Sequence, residues 1–539
     1  MRVYKPTVSV RPITYPGASP NLARDRTVPS SGDEQGATDD AVVRPEVVPV
    51  TLSAVDRYRP GRLTDLGERA VVLGGSIAGL CAARVLADGF EEVVVVERDP
   101  LPDAPVERDG APQTSHPHAL LAAGQATLED LFPGFGEDLA AAGGLVVDVT
   151  RQLVEYQRGG FLADGPERTP SYCATRSLFE HVVRQRLCDR EAVRVRDGCR
   201  FVDYRTDATG TTVTGVTVRE GGAIEDLAAD LVVDATGRTS RTPEWLADNG
   251  YRAPPEDRVE IDLQYASLRI ERPPGDRRMV SVPADPPESR GAVLIPVEDG
   301  QWDVLLAEVH GESPPADCED VLAFADSLPV DLVGDLLRSQ RWVSDGVARY
   351  RFPASLRRRY EALSEFPDGL VVTGDAVSSF NPAYGQGMSV AALDALVLHH
   401  ALADGGLDGL GRRFFDRLEP VLDTPWRLAT GADYQYPQTE GEPSLPAKLF
   451  DWYFDRLLRA ANDDGVLSAV YGEVLGLERS PAALFRPGIL ARVFLPVGGD
   501  APDPDSARRT AVPSGDESVP GTDAEPTVER ERTQRPPEV

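Results

Sequence analysis

The sequence predicts an α/β protein, and three observations carry that prediction. Short apolar runs at 70–73, in AADLVVDATG (228–237) and at 370–373 each end on a glycine, an acid or both, as parallel strands do where they open onto a ligand crevice. Helix-compatible stretches follow the first and the last of these runs. Between 251 and 360 the segments VEIDLQYASLRIERP, RGAVLIPV and QWDVLLAEVH alternate polar and apolar residues like strands of a second sheet. The expected architecture is a Rossmann-like nucleotide-binding domain with an interleaved β-sheet domain and a C-terminal helical region.

The first run leads into VVLGGSIAGL, residues 71–80. A degenerate G-x-G-x-x-G turn is weak evidence by itself. Its context strengthens it: Leu80, Ala83, Val85, Leu86 and Ala87 continue as a helix toward Gly89, and a β-branched run from Val93 to Val96 closes on Glu97, 23 positions after Gly74. An acid about 20 residues on can accept hydrogen bonds from a ribose 2′-hydroxyl, which favours FAD or NAD over NADP. Gly74 is assigned to the tight turn and Gly79 to close packing of helix on strand. Ser76 stands where backbone and pyrophosphate approach most closely, beside free helix N–H groups.

GLVVTGDAVSSFNPAYGQGMSVAALDAL, residues 369–396, repeats this logic. A strand ends at Asp375, a Pro-Gly turn follows, and a helix starts near Gly387. Such a helix N-terminus suits an anion, a reduced flavin among them. Gly385 and Gly387 allow close backbone approach. The third strand end supplies Asp234 and Gly237.

Residues 1–65 and 498–539 are rich in Pro, Ser, Thr, Asp and Gly without periodicity, and are expected to be disordered, the second as an acidic tail. The nucleotide-binding domain is assigned to 66–250 and 361–405, the substrate domain to 251–360, and the helical subdomain to 406–497. No basic start with an apolar h-region and no long uncharged run points to export or a membrane span, so a cytoplasmic protein is expected. The formal net charge is −31, and the ends do not account for it: residues 1–65 hold nine basic and eight acidic side chains, and 498–539 five and ten. An acidic body, with Lys5 and Lys448 the only lysines, suggests halophilic adaptation and disfavours a nucleic-acid partner. Cys81, Cys173, Cys188, Cys199 and Cys318 form no C-x-x-C pair, and His116 and His118 fit no usual metal spacing, so no metal site is assigned.

The combination of GGSIAG with Glu97, DATGR at 234–238 and GDAVSSFNPAYGQGM at 374–388 resembles the FAD-dependent monooxygenases of the p-hydroxybenzoate hydroxylase-like superfamily, over roughly residues 66–400. An APQxxHxHALL stretch and Arg351-Phe352-Pro353 are similar to the branch of hydroxylases and epoxidases acting on polyketide or isoprenoid-like molecules. The resemblance implies a glutathione reductase-type FAD domain. In it Gly74, Ser76 and Gly79 would cradle the pyrophosphate, Glu97 with neighbouring Arg98 would hold the adenosine ribose, and Asp375 would bond the ribitol. Arg176 and His118 would lie near the FAD, Asp234 and Gly237 would belong to the same site, and Pro382, Gly385, Gln386, Gly387 and Met388 would lie against the isoalloxazine ring. Two departures stand out: Ser76 for the middle glycine, and DATGR for the DG pattern of the aromatic hydroxylases.

The implied chemistry is hydroxylation or epoxidation of a hydrophobic small molecule by molecular oxygen through a flavin C4a-hydroperoxide, with NAD(P)H as transient co-substrate and no designated catalytic side chain. A geranylgeranyl reductase-like saturation of isoprenoid double bonds is the alternative, and a non-catalytic flavin or prenyl-binding protein the minor one. A flavin halogenase is disfavoured, because its lysine and W-x-W-x-I-P motif are missing. Tyr265, Trp302 and Tyr350 are aromatic candidates for a pocket wall, although core packing is the commoner role of each. AALFRPGILARVFLPV leaves open a peripheral membrane contact, with Pro487 and Gly488 interrupting any long helix.

Overall fold

The structure is a computed structural model that describes residues 52–108, 110–311, 313–440 and 445–495. The expected disorder of 498–539 and of most of 1–65 falls outside them. Residues 52–65 differ from that expectation. Leu52, Tyr58 and Leu63 are buried in the main core, and the backbone N–H groups of Leu52 and Ser53 donate to Leu477 and Glu478. Three well-spaced apolar side chains were enough to anchor a stretch whose composition reads as polar.

At the centre is a five-stranded parallel sheet in the order Leu370–Val372, Leu231–Asp234, Gly67–Leu73, Phe90–Val96, Val193–Arg196. Both faces are covered, as an all-parallel sheet requires. Ala70, Val72, Val93, Val95 and Val233 meet the helices Ile77–Leu86, Arg176–Cys188 and Gly387–Gly405. Val71, Leu73, Val94, Val96 and Val232 meet an antiparallel three-stranded layer, Cys199–Thr206, Val213–Glu220 and Ala223–Ala228. The period-two alternation of valines therefore divides one sheet between two cores, each buried valine contributing about 1.5–3 kcal/mol.

A second, eight-stranded sheet runs Ser378–Ser379, Ala348–Arg358, Glu256–Glu271, Gln301–Glu308, Arg290–Val297, Met279–Val282, Leu153–Gln157, Gly160–Phe161. Its last two strands come from the stretch that the sequence assigned to the first domain. The partner that joins Leu153–Gln157 to this sheet, Met279–Val282, lies more than a hundred residues downstream, which local pattern does not reveal. One face packs on the helices Cys318–Asp326 and Leu332–Ser339, with Trp302 fully buried and its indole N–H donating to Arg278 O at 2.9 Å. The other face looks into a cavity. The helices Leu445–Ala461, Gly465–Leu475 and Pro487–Phe494 build a separate small core beside it.

Candidate functional site

The glycine turn has the geometry that its spacing predicts. Gly74 adopts φ +107°, and a Cβ there would lie 2.5 Å from the carbonyl oxygen of Ala235. A Cβ on Gly79 would lie 1.8 Å from the carbonyl oxygen of Gly74, so no other residue fits without moving backbone. Ser76 is the N-cap of helix Ile77–Leu86, and its side chain does not cap that helix. The N–H groups of the first helical turn are therefore left to a ligand.

The Ser76 hydroxyl is used elsewhere: it accepts from Arg176 Nη2 at 2.7 Å and donates to Glu180 Oε2 at 2.8 Å. Arg108 Nη2 reaches Glu180 Oε1 at 2.5 Å. Arg176 Nε is buried without a protein hydrogen-bond partner, and burial lowers the pKa of that guanidinium against the pull of Glu180 and Asp375. The serine in place of glycine thus ties a cation to the helix N-terminus. The i,i+4 spacing of Arg176 and Glu180 was a usable sequence signal; Arg108 had none, since only the fold brings it there.

Glu97 is buried at the end of its strand, accepting from Gly75 N at 2.7 Å and Asp99 N at 3.0 Å. Arg98 is half exposed and donates to Gly110 O at 2.7 Å. Asp234 is 1% exposed, and both its oxygens are occupied by the N–H and hydroxyl of Thr236 and the hydroxyls of Ser240 and Thr242. It builds the turn that carries Gly237, at φ +80°, up to Asp375. Asp375 itself reaches solvent, while its surroundings withhold enough water to raise its pKa against the attraction of Arg176 and Arg238.

The loop 381–387 is held from below. Asp433 Oδ1, at the end of helix Leu410–Asp433, accepts from Asn381 Nδ2 at 2.8 Å and from the Tyr384 hydroxyl at 3.1 Å. Burial pushes Asp433 up to about 7. Gly385 adopts φ +65°, and a Cβ there would lie 2.9 Å from Ala119 Cβ, beside His118. Gly387 opens the helix Gly387–Gly405 into free space, and Gln386 Oε1 is buried without a partner. Pro382 is exposed, whereas Met388 belongs to the helix core. Burial lowers His118 to about 3, with Arg176 adding to the effect, so it is a neutral ring whose Nδ1 faces His116 O at 2.8 Å rather than a basic group.

His118, Pro382, Tyr384 and Gly385 border a cavity of about 1680 Å³ that continues under the eight-stranded sheet. Its wall includes Leu153, Met279, Val293, Ile295 and Leu305. That exceeds the roughly 300–1,000 Å³ of an ordinary small-molecule site. Of the aromatic candidates, Trp302 is core, and Tyr265 and Tyr350 meet His116 edge-on, with ring centroids 4.8 and 5.8 Å away.

No family model matches the chain. It is 35% identical over 432 residues to Protein Rv3254 of Mycobacterium tuberculosis, spanning 76% of this chain and 89% of that one. It is 27% identical to kynurenine 3-monooxygenase of Salinispora arenicola, over 62% of this chain and 72% of the relative, and 23% identical to squalene monooxygenase 1,1 of Brassica napus, over 62% of each. Among solved structures, a flavoprotein/dehydrogenase from Cytophaga hutchinsonii superposes with a TM-score of 0.57 at 16% identity, over 78% of this chain and 96% of that one. The chain belongs to one family with Protein Rv3254, and its similarity to the two named monooxygenases, together with the flavoprotein fold, agrees with the FAD-dependent monooxygenases of the p-hydroxybenzoate hydroxylase-like superfamily. FAD is the cofactor that this similarity implies, and the unpartnered Arg176 Nε, the free helix N-terminus at Ser76 and the steric limit at Gly79 all fit it.

Proposed function

We propose that this protein inserts oxygen into a hydrophobic small molecule, by hydroxylation or epoxidation, with NAD(P)H as electron donor. The observation that carries the proposal is one cavity running from the 382–385 loop to a wall of aliphatic side chains. FAD supplies electron transfer and oxygen activation when bound. Gly74, Gly79 and the helix N-terminus at Ser76 would receive its pyrophosphate, with Arg176 as the compensating cation and Glu97, next to Arg98, as the ribose acceptor. Asp375 beside Gly237 would bond the ribityl chain.

The protein's own work is positioning and exclusion of water. Asp433 fixes Asn381 and Tyr384, so the loop presents its backbone at one wall of the cavity. The helix N-terminus at Gly387 offers N–H groups to negative charge. Leu153, Val293, Ile295 and Leu305 keep the substrate side dry. The relatives with named activities are monooxygenases, which favours this reading over double-bond reduction. Oxygen dependence separates the two: a monooxygenase forms product from NAD(P)H only in air, and product formed anaerobically would establish the reductase.

An exposed apolar group on the helical subdomain, Leu449, Trp452, Phe485, Phe494 and Leu495, supports a peripheral contact with a membrane surface from which such a substrate could be drawn.

A further inference from the structure

Where the cavity runs against the eight-stranded sheet, the aliphatic wall is broken by a carboxyl. Glu155 lies on strand Leu153–Gln157 and is 9% exposed, on the same face as Leu153. Ser281 is its neighbour across the strand pair and also borders the cavity. Two groups steady it. Gln157 Nε2 donates both to Glu155 Oε1 and, at 2.9 Å, to the Tyr471 hydroxyl, and Tyr471 donates to the same Oε1 at 3.4 Å. Tyr471 comes from the helix Gly465–Leu475, which also borders the cavity.

Both hydrogen bonds fall on Oε1. Among the described residues, Oε2 accepts none, and no arginine pairs with this carboxyl. An acceptor open to a cavity loses its solvent when a ligand covers it, and leaving it then unpaired is costly, so in a ligand site it is a recognition element. Burial also pushes Glu155 up to about 7, the direction expected of a carboxyl in apolar surroundings. The remaining charges around the cavity sit mainly on exposed side chains and nearly balance, four carboxylates against five arginines, so the site holds no strong field for an ionic substrate.

We propose that Glu155, steadied by Gln157 and Tyr471, anchors the substrate by accepting a hydrogen bond from a hydroxyl group on an otherwise neutral, apolar molecule. The inference rests on the reading of this cavity as the substrate site. A substrate without a donor would leave Oε2 unpaired, and a site built this way rejects such an analogue strongly. Glu155 therefore determines specificity, selecting alcohols or phenols on a lipophilic frame over the corresponding hydrocarbons and ethers.

The test is equilibrium dialysis of the full chain against two matched pairs, farnesol with its methyl ether and estrone with its 3-methyl ether. Dialysis reads binding without requiring the flavin. The expected result is a preference of about tenfold or more for the hydroxyl member of at least one pair, lost in Glu155→Gln and reduced in Tyr471→Phe. Equal binding within both pairs, binding of neither, or a preference that survives Glu155→Gln overturns the proposal. The wild-type comparison stands even if a variant fails to fold. FAD content measured on the same preparation keeps the two readings apart: a flavin-loaded protein without preference sinks only the anchor, whereas a protein that takes up no FAD sinks the monooxygenase reading.

Discussion

Ser76 shows how one residue can depart from a motif and still serve it. The position tolerates a side chain because the hydroxyl finds Arg176 and Glu180 at hydrogen-bond distance. Hydrogen bonds to charged partners contribute about 1.5–3 kcal/mol, so Ser76→Ala should weaken FAD binding at least about tenfold, read as Kd from a flavin fluorescence titration. An unchanged Kd would mean that Arg176 is placed by packing alone. Asp433 gives a pH signature of its own. Its folded pKa of about 7 lies above the ordinary aspartate value of 3.8, so ionisation costs stability progressively as pH rises between those values and the cost is constant above them. Asp433→Asn keeps an acceptor for Asn381 and Tyr384 and removes that cost. Its Tm relative to the wild type should climb from about pH 4 to 7 and then level off; a difference that is flat with pH would contradict the burial argument.

Among the elements, the helix Gly387–Gly405 connects core and site. It begins at the loop beside the cavity and runs buried for most of its length, and Gly124 of helix Ala122–Leu131 approaches so closely that a Cβ would lie 2.5 Å from Ser389 Oγ. Leu396 is fully buried on it. Leu396→Ala should cost about 2–5 kcal/mol, measured by denaturant unfolding, with FAD affinity falling less than the stability does. The strand-turn-helix elements were legible in the sequence because their signals are local: glycines that must avoid a clash at Gly74 and Gly79, and valines alternating between two cores. The polar contacts of the site were largely illegible. Glu155 and Tyr471 lie 316 residues apart, and Asn381 and Asp433 lie 52 apart on elements whose pairing no periodicity encodes. Met388 sits in the motif, and its side chain turns into the core.

For the whole molecule, composition foretold an acidic body but not where its apolar surface lies. That surface is gathered on the last helices, where Leu449 and Trp452 share helical spacing with buried Tyr453 and Leu457. Trp452→Ser combined with Leu495→Ser should lower co-sedimentation with phospholipid vesicles severalfold while leaving thermal stability within about 1 kcal/mol, as exposed positions allow. Unchanged sedimentation would remove the membrane contact from the account. The central claim, a flavin cofactor reduced by NAD(P)H and reoxidised by oxygen, is tested most directly by the visible spectrum of FAD-reconstituted protein, before and after anaerobic NAD(P)H and again after air is admitted. The account predicts a bound flavin spectrum that bleaches with reductant and returns with oxygen uptake. A protein that retains no flavin after reconstitution, or whose reduced flavin is indifferent to oxygen, would contradict it.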